Sequence, residues 1–437
     1  MTGGTDRPNE DRDGSAAPPS AEGADLGRRG FFRAFSREAI QTAATVVGAA
    51  SAVRRGTTAA AGELLGLGMD PAGAADRLAG VFGGGSVGFR SPYRLGDGVI
   101  HVLDQRRLPA QAVTIDCRTG TEVAGAMRDL AARGGPLLGQ LTAYALALAA
   151  ERNVASKPFV RNATLRGTAN ALRNARPDVA AIGRSVDRCV EAWLAVGELG
   201  EGTEIARAIR AEADAIAMEA TLGHGRIGRE GAALLAQPDG RPLDILTIDE
   251  TGPLSAGMVG TALGVVGTIA AAGRAVHVWL LETRPGRSGA RLAAPELRMT
   301  DIPCTVVADG AVGWLLRERP VDVVLVGAER IAANGDLANA AGTYPLAVLA
   351  ARHGVPLHVC APLAAVDPTA ADGAALVIAF RPASELLAVA GEPSPPPETD
   401  ALVPLDDVTP VDLINSFITD EGIVQPPFPE PVAVRFG

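Results

Sequence analysis

The sequence predicts an α/β protein in which a small N-terminal domain of strands and helices precedes a Rossmann-like domain with a doubly wound parallel sheet. Before about residue 235, apolar residues recur at the three- and four-residue spacing of helices. After about residue 240 the pattern changes to short, continuously apolar runs separated by helical stretches. Such runs are typical of strands buried on both faces, and their alternation with helices is typical of a parallel sheet.

The same patterns divide the chain into four segments. Residues 1–25 are rich in Gly, Pro, Ser and acidic residues and are predicted to be disordered, because they offer almost nothing to bury. Residues 26–89 are predicted to form a helical extension, residues 90–235 the strand and helix domain, and residues 236–437 the Rossmann-like domain. A chain of 437 residues, 47% of them hydrophobic, can bury the cores of two domains.

The predicted first domain begins with two strands and continues with helices. Val99–Leu103 is predicted as a strand by its alternation, and Gln111–Ile115 as a second strand after a turn that ends at Pro109. Pro136 and Pro177 lie at or near helix starts, where proline is tolerated. Helical apolar spacing is present in Thr121–Ala132, Gly139–Ala150 and Val179–Val196.

Six apolar runs are the predicted strands of the second domain. They are Ile245–Ile248, Val276–Leu281, Cys304–Val307, Val321–Val326, Leu357–Cys360 and Leu376–Ala379. Ligands of open parallel sheets bind at the loops that follow the strands. Three of these loops hold unusually polar sequence, Asp249–Glu250, Arg284–Arg291 and Glu329–Tyr344, and the ligand site is expected there.

Composition limits the function. A formal net charge of -10 argues against a nucleic-acid or membrane surface, since both need clustered positive charge. A small anionic ligand stays possible, because a single buried arginine can bind a phosphate. The four cysteines are scattered singly and the five histidines lack a ligand spacing, so neither a metal nor a cofactor is predicted.

The N-terminal segment has two interpretations. Arg28–Phe32 followed by the apolar run Ala39–Val53 has the order of a twin-arginine export signal. Polar residues such as Arg33 and Arg37 interrupt the approach to that run, which is rich in Ala and Thr. One face of an amphipathic helix accommodates Phe31, Phe32, Phe35 and Ile40. We expect a cytoplasmic protein, with export as the alternative, and no other segment approaches the ~20 apolar residues of a membrane span.

Several separated motifs resemble one family. Val326–Tyr344 contains Gly-Ala-Glu-Arg-Ile, Asn-Gly-Asp and Ala-Asn-Ala-Ala-Gly-Thr-Tyr. This resembles methylthioribose-1-phosphate isomerases, which have Gly-Ala-Asp-Arg-Ile, Asn-Gly-Asp and Ala-Asn-Lys-Ile-Gly-Thr-Tyr. The family shares its fold with ribose-1,5-bisphosphate isomerases and the regulatory subunits of eukaryotic initiation factor 2B. Further matches, in the family's order, are Arg133–Pro136, Thr142–Ala150, Asp249–Val265, Glu282–Leu292, Asp407–Pro410 and Thr419–Ile423.

Two groups of positions are candidates for phosphate binding. The backbone amides of Gly134 and Gly135, at a predicted helix start, and the guanidinium of Arg133 can converge on a phosphate. The alternative is an ordinary Gly-Pro helix entry with a solvated arginine. Arg176, before Pro177, matches an arginine that contacts substrate in the family; the alternative is a surface arginine.

The resemblance also implies catalytic positions, and there the sequence departs from the family. Asp249 and Glu329 stand where the family has its catalytic Cys and Asp. Asn339 is retained as a substrate contact, whereas Ser288 and Ala340 replace a contacting Gln and Lys. The thiol of a cysteine can give a proton near pH 7, whereas an ordinary aspartate accepts one.

Two functions follow from this comparison. The first is a divergent isomerase that converts a sugar 1-phosphate from aldose to ketose, with Asp249 and Glu329 sharing one proton. The alternative is a non-catalytic regulatory protein that binds a sugar phosphate or nucleotide, like the initiation factor 2B subunits. The resemblance implies a homodimer in either case.

Overall fold

The structure is a computed structural model that describes residues 89–90, 92–389, 392–393, 396 and 398–425. The predicted disordered tail, nearly all of the predicted helical extension and the segment that resembles an export signal lie outside the described residues. No described helix is both long enough and apolar enough to cross a membrane.

The described strands and helices have the following bounds. The strands are β1 Phe89–Arg90, β2 Tyr93–Gly96, β3 Val99–Leu103, β4 Thr114–Cys117, β5 Leu243–Thr247, β6 Val276–Leu281, β7 Cys304–Val307, β8 Val323–Val326, β9 Arg330–Ala332, β10 Leu337–Ala340, β11 Leu357–Cys360, β12 Val366–Asp367, β13 Ala388–Val389, β14 Glu392–Pro393, β15 Asp406–Thr409, β16 Ser416–Thr419 and β17 Gly422–Val424. The helices are α1 Gly120–Arg128, α2 Gly135–Arg152, α3 Pro158–Arg173, α4 Ala180–Val196, α5 Gly202–Leu234, α6 Pro253–Ala256, α7 Ala262–Ala271, α8 Ala294–Met299, α9 Val312–Glu318, α10 Thr343–His353 and α11 Ser384–Leu387.

The N-terminal part consists of a small antiparallel sheet and helices packed around α2. Strands β1 to β4 pair in sequence order. Helix α2 is central, because it packs against α1, α3, α4 and α5. Of its residues 135–150, all but Pro136 are buried. An apolar core on all sides fixes this helix, and with it the position of its first turn.

The C-terminal part contains a seven-stranded sheet in the order β17-β16-β11-β8-β5-β6-β7. All neighbours are parallel except β16 and β17. Successive residues of a strand pack into two different hydrophobic cores. Ile245 and Val323 belong to one core, and Leu246 and Val324 belong to the other. Both faces are therefore covered by helices and loops, and the predicted fold class is confirmed.

The strand order reverses between β5 and β8. From β5 the chain proceeds outward through β6 and β7, then returns to the other side of β5 as β8. The loops that leave β5 and β8 consequently diverge to opposite faces of the sheet and open a crevice at their carboxyl ends. This is the place where open α/β sheets bind their ligands.

Several features differ from the sequence predictions. The strand predicted at Gln111–Ile115 is observed further along the chain, as β4 Thr114–Cys117. Leu376–Ala379, a predicted strand, lies outside the strands; the place next to β11 is taken by β16. An apolar run of four residues is too short to distinguish a strand from a buried connection. The structure also has a small sheet, β12-β9-β10-β15, which the apolar patterns did not indicate.

Candidate active site

The two candidate catalytic residues meet at the point where the strand order reverses. Asp249 lies two residues beyond the end of β5, and Glu329 lies three residues beyond the end of β8. Both side chains line the same two adjoining cavities. We call these two cavities together the cleft.

The cleft also contains the other candidate residues. The first cavity is lined by Arg133, Gly134, Arg176, Asp249, Ser288, Glu329 and Ala340, among others. The second shares Gly134, Asp249 and Glu329 with the first and adds Gly135 and Asn339. The structure therefore gathers all nine residues singled out in the sequence around one cleft, although they come from five separate parts of the chain.

The first turn of α2 enters the cleft through a backbone that requires glycine. Gly134 has φ of 92°, and a Cβ on it would lie 2.2 Å from the carbonyl oxygen of Ser255. A Cβ on Gly135 would lie 3.3 Å from Oε2 of Glu329. The two glycines thus let the start of α2 approach both the loop after β5 and the carboxylate of Glu329.

Arg133 is held by carboxylates of the loop after β5. Its Nε lies 2.5 Å from Oε1 of Glu250, and its Nη2 lies 3.7 Å from Oδ1 of Asp249. Burial on its own lowers the pKa of Arg133, but the charges of Glu250 and Asp249 outweigh it and hold the pKa above its ordinary value. The alternative of a solvated arginine is therefore wrong, yet the guanidinium is shared with acidic neighbours.

Arg176 is also held by a carboxylate. It is 9% exposed, so the alternative of a surface arginine is wrong. Its Nε donates to both carboxylate oxygens of Asp178, at 3.0 and 2.9 Å, and its Nη2 also donates to Asp178. Asp178 itself is 2% exposed. Arg133 and Arg176 thus each have a carboxylate partner within the chain.

Asp249 sits on a strained backbone. Its φ is 66°, and that of Thr283 is 63°, both in the left-handed region that non-glycine residues rarely adopt. The backbone N–H of Asp249 donates to Oγ1 of Thr283 at 3.0 Å, and the hydroxyl of Ser288 donates to Oδ1 of Asp249. Strain of this kind costs about 1–3 kcal/mol per residue and concentrates at functional sites. Ser288, 1% exposed, orients the Asp249 carboxylate.

Three carboxyl groups of the cleft favour protonation. Burial raises the pKa of Glu329 to about 7, with Arg176 opposing the shift and Asp178 and Asp249 adding to it. Burial, then the charge of Glu329, raises the pKa of Asp406 to about 8. Burial also raises the pKa of Glu250 well above its usual range, and its ion pair with Arg133 opposes that shift. At neutral pH the cleft can therefore hold a proton on one carboxyl while another stays ionised.

A backbone hydrogen bond positions Glu329, and one oxygen of its carboxyl group remains without a hydrogen bond among the described residues. Its backbone N–H donates to the carbonyl of Ala338 at 3.1 Å, which ties the loop after β8 to β10. Its Oε2 is buried and has no hydrogen-bond partner among the described residues. Buried carboxylate oxygens are rarely left unpartnered, so this atom is suited to contact a ligand.

Asn339 and Ala340 lie side by side on β10. Asn339 Nδ2 donates to Oγ1 of Thr343 at 3.0 Å, at the start of α10. Ala340 pairs directly opposite Asp406 in the antiparallel β10–β15 ladder. Directly opposite residues point to the same side of a sheet, so the absence of a basic side chain at 340 leaves Asp406 without a countercharge there.

Sequence reasoning missed three residues of the cleft. Asp178 follows Arg176 by two positions, and Asp406 directly precedes a matched motif, but neither contact is visible without the tertiary structure. Glu250 was noted as polar without its pairing to Arg133. Among the described residues, no group of three His, Cys, Asp or Glu side chains is arranged to hold a metal ion.

Comparisons with known proteins agree with the resemblance seen in the motifs. The sequence model of the initiation factor 2 subunit family matches residues 131–426. A methylthioribose-1-phosphate isomerase of Pelotomaculum thermopropionicum is 40% identical over 335 residues, which cover 77% of this chain and 91% of that protein.

Two solved structures are similar along most of their length. The 5-methylthioribose 1-phosphate isomerase of Pyrococcus horikoshii OT3 has a TM-score of 0.69 and 33% identity, covering 77% of this chain and 92% of that one. The delta subunit of translation initiation factor eIF-2B from A. fulgidus has a TM-score of 0.66 and 32% identity, covering 76% and 96%. Both an enzyme and an initiation factor subunit therefore resemble this chain to a similar degree.

Proposed function

We propose that this protein, which belongs to the initiation factor 2 subunit family, converts a sugar 1-phosphate from its aldose to its ketose form. The observation that carries the proposal is that Asp249 and Glu329 line the same two cavities, where burial raises the pKa of Glu329 to about 7. Aldose–ketose isomerisation needs one group that accepts a proton and one that gives it. Neighbouring carboxyls that share one proton supply both.

We assign the acceptor role to Asp249 and the donor role to Glu329. Asp249 accepts a hydrogen bond from the hydroxyl of Ser288, and its Oδ1 lies 3.7 Å from Nη2 of Arg133, so a hydrogen-bond donor and a positive charge both face this carboxylate. Glu329 is partly buried, and with a pKa raised to about 7 it is about half protonated at neutral pH, so it can give a proton there. Asp406, in the same cavity, is a second reservoir for that proton.

We assign phosphate binding to the start of α2 and the two arginines. The first N–H groups of this 18-residue helix have no partner within the helix and carry the positive end of its dipole. Arg133 and Arg176 line the same cavity and add charge-assisted hydrogen bonds. Asn339, Ser288 and Ala340 surround the remaining part of the substrate.

We further propose that the protein acts in the cytoplasm as a homodimer, joined through its sheet-bearing domain. Closed twofold dimers are the commonest assembly of such proteins. The proposed ligand is a small phosphorylated sugar or a nucleotide, and no metal or cofactor takes part in the proposed reaction.

The second candidate is a binding protein without isomerase activity. Its support is that Glu250 and Asp178 already pair with the two arginines, and that Asp249 and Glu329 differ from the family's catalytic Cys and Asp. Glutamate is one methylene longer than aspartate, and a misplacement of about 1 Å can cost on the order of a hundredfold in rate.

The experiment is an isomerase assay on methylthioribose 1-phosphate and other pentose 1-phosphates. Asp249→Asn and Glu329→Gln should each lower turnover by at least about a hundredfold, because each removes a proton-transfer group. Asp412→Asn, an exposed carboxylate change, is the matched control. If the double change Asp249→Cys and Glu329→Asp raises the rate on methylthioribose 1-phosphate, then the two residues by which this chain differs from the family explain a low rate of the wild-type protein.

The two candidates give different results. Ligand-induced thermal stabilisation by a sugar phosphate, with no turnover of any tested sugar in the wild type or in the Asp249→Cys/Glu329→Asp variant, would establish the binding protein. Turnover that persists in Asp249→Asn and Glu329→Gln would refute the assigned roles.

A further inference from the structure

A second positively charged site lies outside the cleft. Four arginines, Arg106, Arg107, Arg287 and Arg291, line a groove between the loop after β3 and the segment before α8. We call it the arginine groove. It shares no lining residue with either cavity of the cleft.

One arginine joins the two walls of the groove, and a second is held within its own wall. Arg291 Nη2 donates to the backbone carbonyls of Gln105 and Arg106, at 2.9 and 3.0 Å. The guanidinium of Arg106 forms a two-pronged contact with Asp104, at 2.8 and 2.9 Å. The two bonds of Arg291 fix the loop after β3 against the segment that carries Arg287 and Arg291, so the groove has a defined shape.

The charge of the groove is poorly compensated. Asp104 is the single carboxylate paired with these arginines in the described part of the chain, and it serves both Arg106 and Arg107. Neither Arg287 nor Arg291 has an ion pair among the described residues. Four arginines against one carboxylate leave three positive charges on a chain whose formal net charge is -10. Burial, then the charge of Arg133, lowers the pKa of Arg291. The charge of Arg287 adds to this shift, and the charges of Glu250 and Asp104 oppose it.

We propose that the arginine groove binds a small ligand that carries two or more linked phosphate groups. Guanidinium groups bind phosphate oxygens with two parallel hydrogen bonds. One phosphate carries about two negative charges at most, so three positive charges match a diphosphate or triphosphate better. The acidic surface of the rest of the protein disfavours a long polyanion such as a nucleic acid.

The accessible side chains of the groove suit this role. Arg107 is 59% exposed, with its Nε 3.6 Å from Asp104 and its Nη1 donating to Gln111 at 3.1 Å. Arg287 is exposed and its φ is 54°, a left-handed backbone that turns the chain at the groove. Arg107 and Arg287 therefore present the exposed guanidinium groups that can reach a ligand, while Arg291 holds the two walls together.

The groove and the cleft also contain residues that are neighbours in sequence. Arg287 directly precedes Ser288, whose hydroxyl donates to Asp249. The backbone N–H of Arg291 donates to the carbonyl of Arg287 at 2.7 Å, within the same turn. The groove and the cleft therefore meet at consecutive residues, and any coupling between the two sites must be reciprocal. Binding to the groove does not depend on the proposed isomerase activity.

The test is calorimetric titration of the full-length protein with tripolyphosphate and with orthophosphate at constant ionic strength. The Arg107→Gln/Arg287→Gln variant removes two exposed charges from the groove. The Arg317→Gln/Arg352→Gln variant removes two exposed arginines on α9 and α10 and is the matched control. We expect tripolyphosphate to bind the wild type and the control equally, and the groove variant at least about tenfold more weakly.

Three results would overturn the proposal. They are equal tripolyphosphate affinity in the wild type and the groove variant, no binding to the wild type at millimolar concentration, and binding that the groove variant keeps but Arg176→Gln loses. The last result would assign the ligand to the cleft. Orthophosphate that binds as tightly as tripolyphosphate would refute the requirement for linked phosphates.

Discussion

The buried carboxyl of Asp406 should make the stability of this protein fall as pH rises. Asp406 is 6% exposed, and its pKa is raised from 3.8 to about 8. A carboxyl whose pKa is higher in the folded than in the unfolded state stabilises the fold fully below the unfolded value. That stability is lost as pH rises through the folded value. The window for Asp406 therefore runs from about pH 4 to about pH 8.

Asp406→Asn removes the ionisation and keeps the shape. Each pH unit inside the window corresponds to about 1.4 kcal/mol. The free energy of unfolding of the variant should therefore rise by about 4 kcal/mol relative to that of the wild type between pH 5 and pH 8. This is an upper limit, because Glu329 takes up part of the shared proton. Above pH 8 the difference should level off.

The measurement is the free energy of unfolding from urea titrations at pH 5, 6, 7, 8 and 9. Asp412→Asn changes an exposed carboxylate and should show no such trend. Ala340→Lys should flatten the slope of the wild type, since residue 340 lies directly opposite Asp406 on β10 and an ammonium there favours the ionised carboxyl. A difference between Asp406→Asn and the wild type that changes by less than about 1 kcal/mol from pH 5 to pH 8 would refute this reasoning.

Three other predictions concern the loops and the assembly. Gly134→Ala should lower the free energy of unfolding by at least about 3 kcal/mol in urea titrations, because the added Cβ meets both backbone strain and the carbonyl oxygen of Ser255. Gly240→Ala, where φ is 70° and the space is open, should cost about 1 kcal/mol from strain alone. Equal losses in the two variants would contradict the steric overlap with Ser255. Glu296→Gln should become more stable relative to the wild type as pH rises toward 8. Burial raises the pKa of Glu296 to about 8, while its Oε1 accepts a hydrogen bond from the backbone N–H of Leu254. A difference in the free energy of unfolding that does not change with pH would contradict this prediction. Sedimentation should show a dimer at micromolar concentration, and a monomer alone would contradict the homodimer.

The sequence predicted the large sheet because its strands are marked locally. The bounds predicted for β6, β7 and β11 are those observed. Each is a short apolar run with both faces buried, so a single stretch of sequence contains the whole signal. The loops after such strands must gather at one edge of the sheet, which is why Asp249 and Glu329 could be placed in one site.

The contacts that set the chemistry of the cleft could not be predicted in the same way. The pairing of Ala340 with Asp406 joins strands of the small sheet that are far apart in sequence. Register between such strands depends on the whole fold and has no local signature. The ion pair of Arg176 with Asp178 depends on burial of both side chains, which periodicity alone does not reveal.

The acidity of the cleft is compatible with a phosphorylated ligand if protons and ligand bind together. The cleft and its immediate surroundings hold four arginines, Arg133, Arg176, Arg284 and Arg381, and six carboxyl groups, Asp178, Asp249, Glu250, Glu329, Glu385 and Asp406. Ionised together, the carboxylates would repel a phosphate, but the raised pKa values of Glu329 and Asp406 keep protons available near neutral pH. A bound dianion favours the protonated carboxyls further, since it adds negative charge nearby. The proton that permits phosphate binding is then the one that the proposed isomerisation transfers.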